Sequence, residues 1–355
     1  MKQSFTFLFL MISLCFGSIF AQKPTSTNAD NDSVAIVYFI KDITPENVLK
    51  LYKAIGMELE GKIGVKIHFG EDGNKNFLNP ELTRPLMEYT KASWVETNVL
   101  YISKRRFTDS HIKLAKDHGF VFAPIDILDK DGEMEYDTKG MGFKHYKKIK
   151  AGLSFPNYDG YIIYSHFKGH GSAGFGGAIK NLAMGFASPG GKMAQHASDV
   201  PVIVDKDKCI QCSNCINQCP AHAISYVENV ITIDSSKCIG CAKCIAECPT
   251  KIIKPEKINL ESNTFLERLV EYACVFTKKK PMVYINVLAN ISSSCDCSAR
   301  APLPFTQDIG MLGSRDIVAI DDAFLKESGV SGLGQINYAE KLKMGTQKYK
   351  LVEIK

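Results

Sequence analysis

The sequence has one tryptophan in 355 residues, and 43 basic against 38 acidic side chains leave a formal net charge of only +5. It therefore lacks the one-sided charge with which proteins grip nucleic acid through its phosphates. The lysines are scattered, and their one run, Lys278 to Lys280, reads as a helix end or a solvated face. Beyond the N-terminal segment no apolar run reaches membrane-spanning length, so no integral membrane domain is expected there. At 45% hydrophobic and 23% charged, the chain is globular and long enough for one sizeable α/β domain plus a small one.

Cysteine is abundant. Eight of the 12 cysteines fall into two consecutive copies of C-x2-C-x2-C-x3-C-P: Cys209, Cys212, Cys215, Cys219-Pro220, then Cys238, Cys241, Cys244, Cys248-Pro249. Three thiolates at three-residue steps can wrap one corner of a cubic 4Fe-4S cluster, and a fourth must come from elsewhere. In the bacterial two-cluster arrangement the fourth cysteine of each run ligates the other cluster. One cluster is then expected on Cys209, Cys212, Cys215 and Cys248, and the second on Cys238, Cys241, Cys244 and Cys219. Asp205, Lys208, Ile210, Ile216 and Ile224 recur 29 positions later as Asp234, Lys237, Ile239, Ile245 and Ile253, the mark of an internal duplication. Structural zinc uses paired C-x2-C knuckles separated by longer loops, without a third cysteine at the same step. Evenly duplicated C-x2-C runs are also a poor disulfide framework. Two 4Fe-4S clusters are the expected cofactors.

The N-terminus carries Lys2, an apolar stretch from Phe5 to Phe20, then Ala21-Gln22 and a polar run. Residues 1–21 read as a secretory signal peptide and 22–33 as a linker, which implies export to the periplasm; an uncleaved membrane anchor is the alternative. No twin-arginine pair precedes the apolar stretch to mark export of a folded cluster protein.

After this leader, strand-length apolar runs alternate with amphipathic helical stretches, the pattern of parallel βαβ units. Strands are expected at Val34 to Ile40, Gly64 to Phe69, Val99 to Ser103, Phe120 to Leu128, Tyr161 to Ser165 and Met282 to Leu288. Helices are expected after Thr44-Pro45, at Pro80 to Ser93, at Asp109 to His118, and from a capping box of Thr264 with Glu267. Cys274 falls on the apolar face of that last helix and reads as core. The fold class is α/β: an open, mostly parallel sheet domain (residues 34–199 and 256–355) interrupted by a small α+β, ferredoxin-like domain for two 4Fe-4S clusters (residues 200–255).

Two strand ends carry further chemistry. Tyr161 to Ser165 leads into a glycine-rich stretch from His166 to Lys180, where a backbone loop can pass close to a bound group. Ligands of open α/β sheets sit beyond the carboxyl ends of strands, and His166 and His170 are candidate ligands or proton carriers there. Met282 to Leu288 leads into Cys295-Asp296-Cys297, whose cysteines could bind a soft metal, form a redox thiol pair, or fill the surface.

Across nearly all of the mature chain the sequence resembles the iron-sulfur family called domain of unknown function 362. The resemblance runs through Asn79 to Pro85, His166 to Lys180, the double cluster motif, Cys295-Asp-Cys297 and Gly313 to Ile320, and implies a fold without an activity. More distantly, His166, His170, Gly174, Phe175, Gly177, Lys180 and His196 follow the spacing H-x3-H-x3-G-F-x-G-x2-K-x15-H, which is similar to that of lactate racemases. That likeness implies a pocket for a nickel pincer nucleotide, with Lys180 carrying the cofactor, His196 ligating nickel and His170 carrying a proton. Thr83-Arg84-Pro85 resembles the racemases' nucleotide-contacting T-R-P, while His68, His111 and His118 all compete for their other catalytic histidine. The resemblance thus makes His166, His170, Lys180 and His196 the catalytic candidates, and Thr83, Arg84, Gly174, Gly177 and Lys180 those for a nucleotide-derived cofactor.

Three classes of function follow. In the first, clusters pass electrons to or from a small-molecule substrate or cofactor in this pocket. In the second, the chain is a ferredoxin-type carrier whose α/β domain docks a redox partner protein; in the third, the clusters are structural staples. An isomerase-like enzyme using a second metal or the nickel pincer is the alternative the racemase likeness implies.

Overall fold

The apolar runs alternate faces as a buried sheet requires. The computed structural model of the chain describes residues 34–101, 103–196, 200–219, 221–238, 240, 243–255, 262–325, 327–330 and 332–355. The signal, linker and anchor expectations on residues 1–33, and Cys241 of the cluster motif, lie outside the described residues. Eight strands form the main sheet: β1 (Ala35–Ile40), β2 (Ile63–Lys66), β3 (Ser93–Glu96), β4 (Ile125–Ile127), β5 (Gly160–His166), β6 (Met282–Leu288), β7 (Gly310–Ser314) and β8 (Tyr349–Glu353). Their order is β8-β1-β7-β6-β5-β2-β3-β4, and β7 alone runs antiparallel to its neighbours. Tyr161 and Ile163 of β5 join one hydrophobic core and Ile162 and Tyr164 another, so successive residues feed opposite faces of the sheet. Every residue of β5 and β6 is buried, as expected of central strands covered on both sides.

Among the described residues there are ten helices: α1 (Pro45–Ile55), α2 (Arg84–Thr90), α3 (Thr108–Asp117), α4 (Ala178–Phe186), α5 (Pro189–His196), α6 (Asn214–Asn217), α7 (Lys243–Glu247), α8 (Ser262–Lys279), α9 (Ile317–Asp322) and α10 (Leu333–Lys341). α1 follows its sequence signals: the Thr44 hydroxyl accepts from Asn47 N at 3.2 Å, Pro45 opens the helix, and Gly56 ends it at φ 67°. Cys274 is buried in α8, as expected for core.

Four expectations shift. Of the strand expected at Val99 to Ser103, Ile102 lies outside the described residues and the others are not strand, because the ladder uses Ser93–Glu96 and the chain then brings Val99 and Leu100 to a cavity wall. Phe120 to Leu128 shrinks to Ile125–Ile127, since Pro124 has no N–H to give and only its carbonyl accepts, from Trp94 N at 2.9 Å. Pro80 to Ser93 divides into a 3-10 turn, Pro80–Thr83, and α2, which stops before the left-handed Lys91. Thr264 lies inside α8, which begins at Ser262, and so is not its N-cap, and Glu267 pairs with Lys144 and His145.

The crossover from β5 to β6 contains α4, α5, the cysteine-rich segment and α8. In that segment Pro201–Ile203 pairs with Ile253–Pro255, and a hairpin joins Ile224–Val227 to Val230–Ile233. Glu228 and Asn229 turn the hairpin with φ 50° and 63°, the two-residue left-handed turn that suits strand twist. Cys215, Cys244, Cys248, Ile224, Ile231 and Ile253 form a core of their own, which Leu100 and Met193 of the larger domain enter.

Candidate functional site

Because β5 and β6 pair in parallel, with His166 opposite Val287, their carboxyl ends deliver the glycine-rich stretch and the Cys295–Cys297 turn to one place. Beyond β5 a small hairpin, Lys168–His170 with Gly174–Gly176, leads through Gly177 into α4. Asp321 caps that helix, accepting from Ala178 N at 2.7 Å and Ile179 N at 2.8 Å. A side chain at Gly177 would place its Cβ 2.4 Å from the Asp321 carboxylate, so glycine is required for the cap to close. On the same helix, a Cβ at Gly185 would lie 1.7 Å from Lys66 Cε: α4 leaves a notch through which the Lys66 side chain passes.

These elements enclose a cavity of about 360 Å³ lined by His166, His170, Lys180, His196, Cys295 and Cys297, among others. The four catalytic candidates and the C-x-C cysteines therefore converge. Gly177 also lines the cavity, whereas Thr83, Arg84 and Gly174 do not. The Thr83 hydroxyl donates to Pro80 O at 2.7 Å, closing the turn before α2. Arg84 pairs with Glu81 at the surface and lies over the Phe122 ring. Among the three histidines left open by sequence, His68 lines the cavity; His111 is buried against Phe69, and His118 donates toward Phe69 O and stacks on Phe77.

The polar groups have distinct tasks. Both ring nitrogens of His166 face oxygen acceptors, Asp296 at 2.9 Å and Ala289 O at 2.7 Å, so this residue positions Asp296 and has no nitrogen free for a ligand. Lys168 adds an ion pair to Asp296 at 2.8 Å. Burial pushes the Asp296 carboxyl up, but His166 and Lys168 outweigh it and hold it well below the usual carboxylate range. His170 accepts at Nδ1 from Ser172 N (3.2 Å) and Ala173 N (3.0 Å), which leaves the ring proton on Nε2. Desolvation, then Lys180, His196 and Lys168, push His170 down to about 2, so it is neutral. His196 stacks on Phe265 and is pushed down to about 4 by burial of the ring and by Lys180 and Lys192, although part of the residue reaches solvent.

Donor atoms of His170, Cys295 and Cys297 all lie within 4.8 Å of one another, a grouping that could hold a metal ion. Cys295 accepts from Lys180 Nζ at 3.6 Å and from Cys297 N at 3.4 Å. The Cys297 thiol, opposed by burial and aided by Lys180 and Lys168, holds Cys295 well below the usual thiol range, and Cys297 is raised in turn. With Lys180 Nζ and Cys297 N both directed at its sulfur, Cys295 is the member of the pair on which negative charge is favoured.

The cavity wall is rich in cations that the motif reading missed. Lys66 pairs with Glu96 at 3.0 Å, and Arg105 lies 3.4 Å from Glu71 and 2.9 Å from His68. Among the described residues Lys192 hydrogen-bonds only neutral acceptors, Thr97 Oγ1 (2.5 Å), Asn98 O (2.7 Å) and Ala187 O (3.0 Å), and burial, opposed by Asp129 and Glu96, lowers it to about 8. Five cations, Lys66, Arg105, Lys168, Lys180 and Lys192, line the cavity against one lining carboxylate, Glu96. A lysine within the apolar strand run Ile63 to Phe69 was the one sequence signal that could have flagged this.

A second, smaller cavity is lined by Cys209, Cys212, Cys215 and Cys248, with Ile210, Tyr226, Ile231, Ile252 and Ile253 around them. Burial raises Cys248, but the Thr250 hydroxyl and the backbone N–H groups of Ile253, Ile252 and Thr250 outweigh it and lower the thiol. Cys219 Sγ accepts from Ala223 N at 3.2 Å.

Fold and site together define an α/β protein with a mostly parallel sheet and a cation-lined thiol cavity at its strand ends. The chain belongs to the family described as domain of unknown function (DUF362), which matches residues 63–326. No curated protein matches it. Among solved structures it is similar to the lactate racemase apoprotein from Thermoanaerobacterium thermosaccharolyticum, with 12% identity and a TM-score of 0.37 over 84% of this chain and 57% of that one. It is also similar to a Thermotoga maritima protein, with 11% identity and a TM-score of 0.34 over 84% of this chain and 58% of that one. The chain thus spans little more than half the length of these proteins.

Proposed function

We propose that the chain is an iron-sulfur redox protein in which two 4Fe-4S clusters exchange electrons with a small anionic ligand in the cation-lined cavity. One cluster is assigned to Cys209, Cys212, Cys215 and Cys248, the other to Cys219, Cys238, Cys241 and Cys244. The observation that carries the reading is the small cavity walled by Cys209, Cys212, Cys215 and Cys248, three cysteines of one run and the last of the other. N–H and hydroxyl donors directed at Cys248 suit a sulfur that carries negative charge. The duplication has backbone support: Gln211 and Gly240, and His222 and Lys251, are pairs 29 positions apart whose members all take positive φ. When bound, such clusters supply one-electron transfer. Leu100 belongs to both the cluster-side core and the cavity wall, so the two sites share a partition. A bare electron carrier has no use for a buried cavity with five cations.

A second reading, an isomerase-like enzyme with a nucleotide-derived cofactor on Lys180, draws on Lys180 and His196 facing the same cavity. Thr83 and Arg84, which that likeness would place on the nucleotide, lie elsewhere.

The test is reversible reduction of oxygen-free protein. Dithionite should bleach a broad visible absorbance and produce the paramagnetic signals of reduced clusters, and air-free reoxidation should restore it. Cys248→Ser should remove about half of the iron. Clusters inert to dithionite would reduce them to structural staples, and an added mass on Lys180 would favour the second reading.

A further inference from the structure

We infer that Cys295 and Cys297 form a dithiol-disulfide couple that exchanges with small anionic disulfides entering the cation-lined cavity. Three observations carry this. First, Ser298 N donates to Cys295 O at 2.9 Å, closing a tight turn that curls both cysteines to one side. Their sulfurs lie within 4.8 Å, close enough for side-chain rotation to complete the bond. Second, the two sulfurs differ: Lys180 Nζ and Cys297 N both point at Cys295 Sγ, which makes Cys295 the nucleophile and Cys297 the resolving thiol. Third, both line a cavity with five cations, of which Lys66, Arg105 and Lys168 pair with Glu96, Glu71 and Asp296, while Lys180 and Lys192 have no carboxylate at ion-pair distance among the described residues, so an anionic partner is drawn in. The competing use of these atoms, a metal on His170, Cys295 and Cys297, meets an obstacle: two backbone N–H groups occupy His170 Nδ1 and put the ring proton on Nε2, leaving no free lone pair.

The chemistry balances. The Cys295 thiolate attacks one sulfur of the disulfide R–S–S–R, forming a Cys295–S–S–R bond and releasing R–S⁻. Cys297 then loses its proton to the second leaving thiolate as its sulfur attacks Cys295; the Cys295–S–S–Cys297 bond forms and R–SH departs. The ligand has gained two electrons and the protein pair has lost two. Return to the dithiol takes two electrons and one proton, and this half rests on the proposed function, in which each of two clusters supplies one electron.

Oxygen-free holoprotein, with iron and sulfide measured first, would be mixed with dithiodiglycolate, a small dianionic disulfide, and separately with neutral bis(2-hydroxyethyl) disulfide. Peptide mapping should find an internal Cys295–Cys297 disulfide and two released thiols, with the dianion reacting at least about tenfold faster. Cys297→Ser should trap the adduct on Cys295, and Lys180→Met should erase most of the preference for the dianion. A stable adduct in the wild-type protein, first attack at Cys297, or an inert pair holding one equivalent of a non-iron metal would each overturn the couple. Exchange that proceeds in protein free of iron and sulfide would overturn the cluster reading alone, and an inert pair beside intact clusters would overturn the couple alone.

Discussion

Asp296→Asn should be among the most costly single substitutions in the chain, out of proportion to its exchange of one heavy atom. Asp296 Oδ2 lies 2.8 Å from Lys168 Nζ, and both residues are buried, at 1% and 6% exposure. At that separation, and an effective dielectric near 20, the attraction is about 6 kcal/mol, against which both groups have lost their hydration. Removing one partner leaves the buried Lys168 uncompensated, which typically costs about 3–5 kcal/mol. The asparagine amide would also present a donor to either His166 or Lys168, both of which now donate. The pH dependence has a definite sign. Asp296 is depressed in the folded state, so its contribution is fully present above about pH 4, the range of an unfolded carboxyl, and is lost as pH falls through the folded value. The gap between wild type and variant should therefore narrow only in acid. Urea unfolding of oxygen-free protein with matched iron content, followed by circular dichroism, measures it, with Lys168→Met and the double variant completing a cycle. Because the double variant removes both charges, it should be more stable than Asp296→Asn alone. A cost below about 1 kcal/mol for Asp296→Asn, or costs that simply add, would refute the pairing.

Three further outcomes follow from named contacts. Gly185→Ala improves helix propensity by about 1 kcal/mol but drives the Lys66 tip from Glu96, Asn181 and Ile67 O, for a net loss of roughly 2–4 kcal/mol in thermal or urea unfolding; a more stable variant would show that Lys66 is not held there. Burial lifts Asp321 to about 6, against bonds from Asn286 and two N–H groups. Its folded form therefore holds a proton that the unfolded chain has released, and wild-type stability should fall by up to about 3 kcal/mol between pH 4 and pH 6 relative to Asp321→Asn, checked by parallel pH titrations of unfolding. Lys192→Met removes a cavity cation whose hydrogen-bond partners are all neutral oxygens and should lower the rate of dithiodiglycolate exchange several-fold, and by more than that of the neutral disulfide; equal effects on both would show that charge is not what selects the ligand.

Much of this architecture was legible where chemistry is local. The runs at Ala35–Ile40, Gly160–His166 and Met282–Leu288 are strands because their neighbours on both faces are apolar, and α1 begins and ends on its own capping residues. Leu100 and Val99 looked like strand residues because apolarity does not distinguish pairing in a ladder from lining a cavity. The convergence of His166, His170, Lys180, His196 and the two cysteines could be anticipated from adjacent strand ends, since ligands collect there. What the motifs missed was the charge around them: Lys66, Arg105, Lys168 and Lys192 come from four separate segments, and only folding brings them to one wall. The Thr83-Arg84 pair shows the converse, a short motif whose hydroxyl and guanidinium are satisfied by Pro80 and Glu81 within the same turn.

Whether two clusters are present is decided by counting iron and acid-labile sulfide on protein purified without oxygen. Two 4Fe-4S clusters require about eight of each per chain, with about half lost in either Cys248→Ser or Cys219→Ser. A preparation that folds, carries far fewer irons and contains no sulfide would contradict the two-cluster reading.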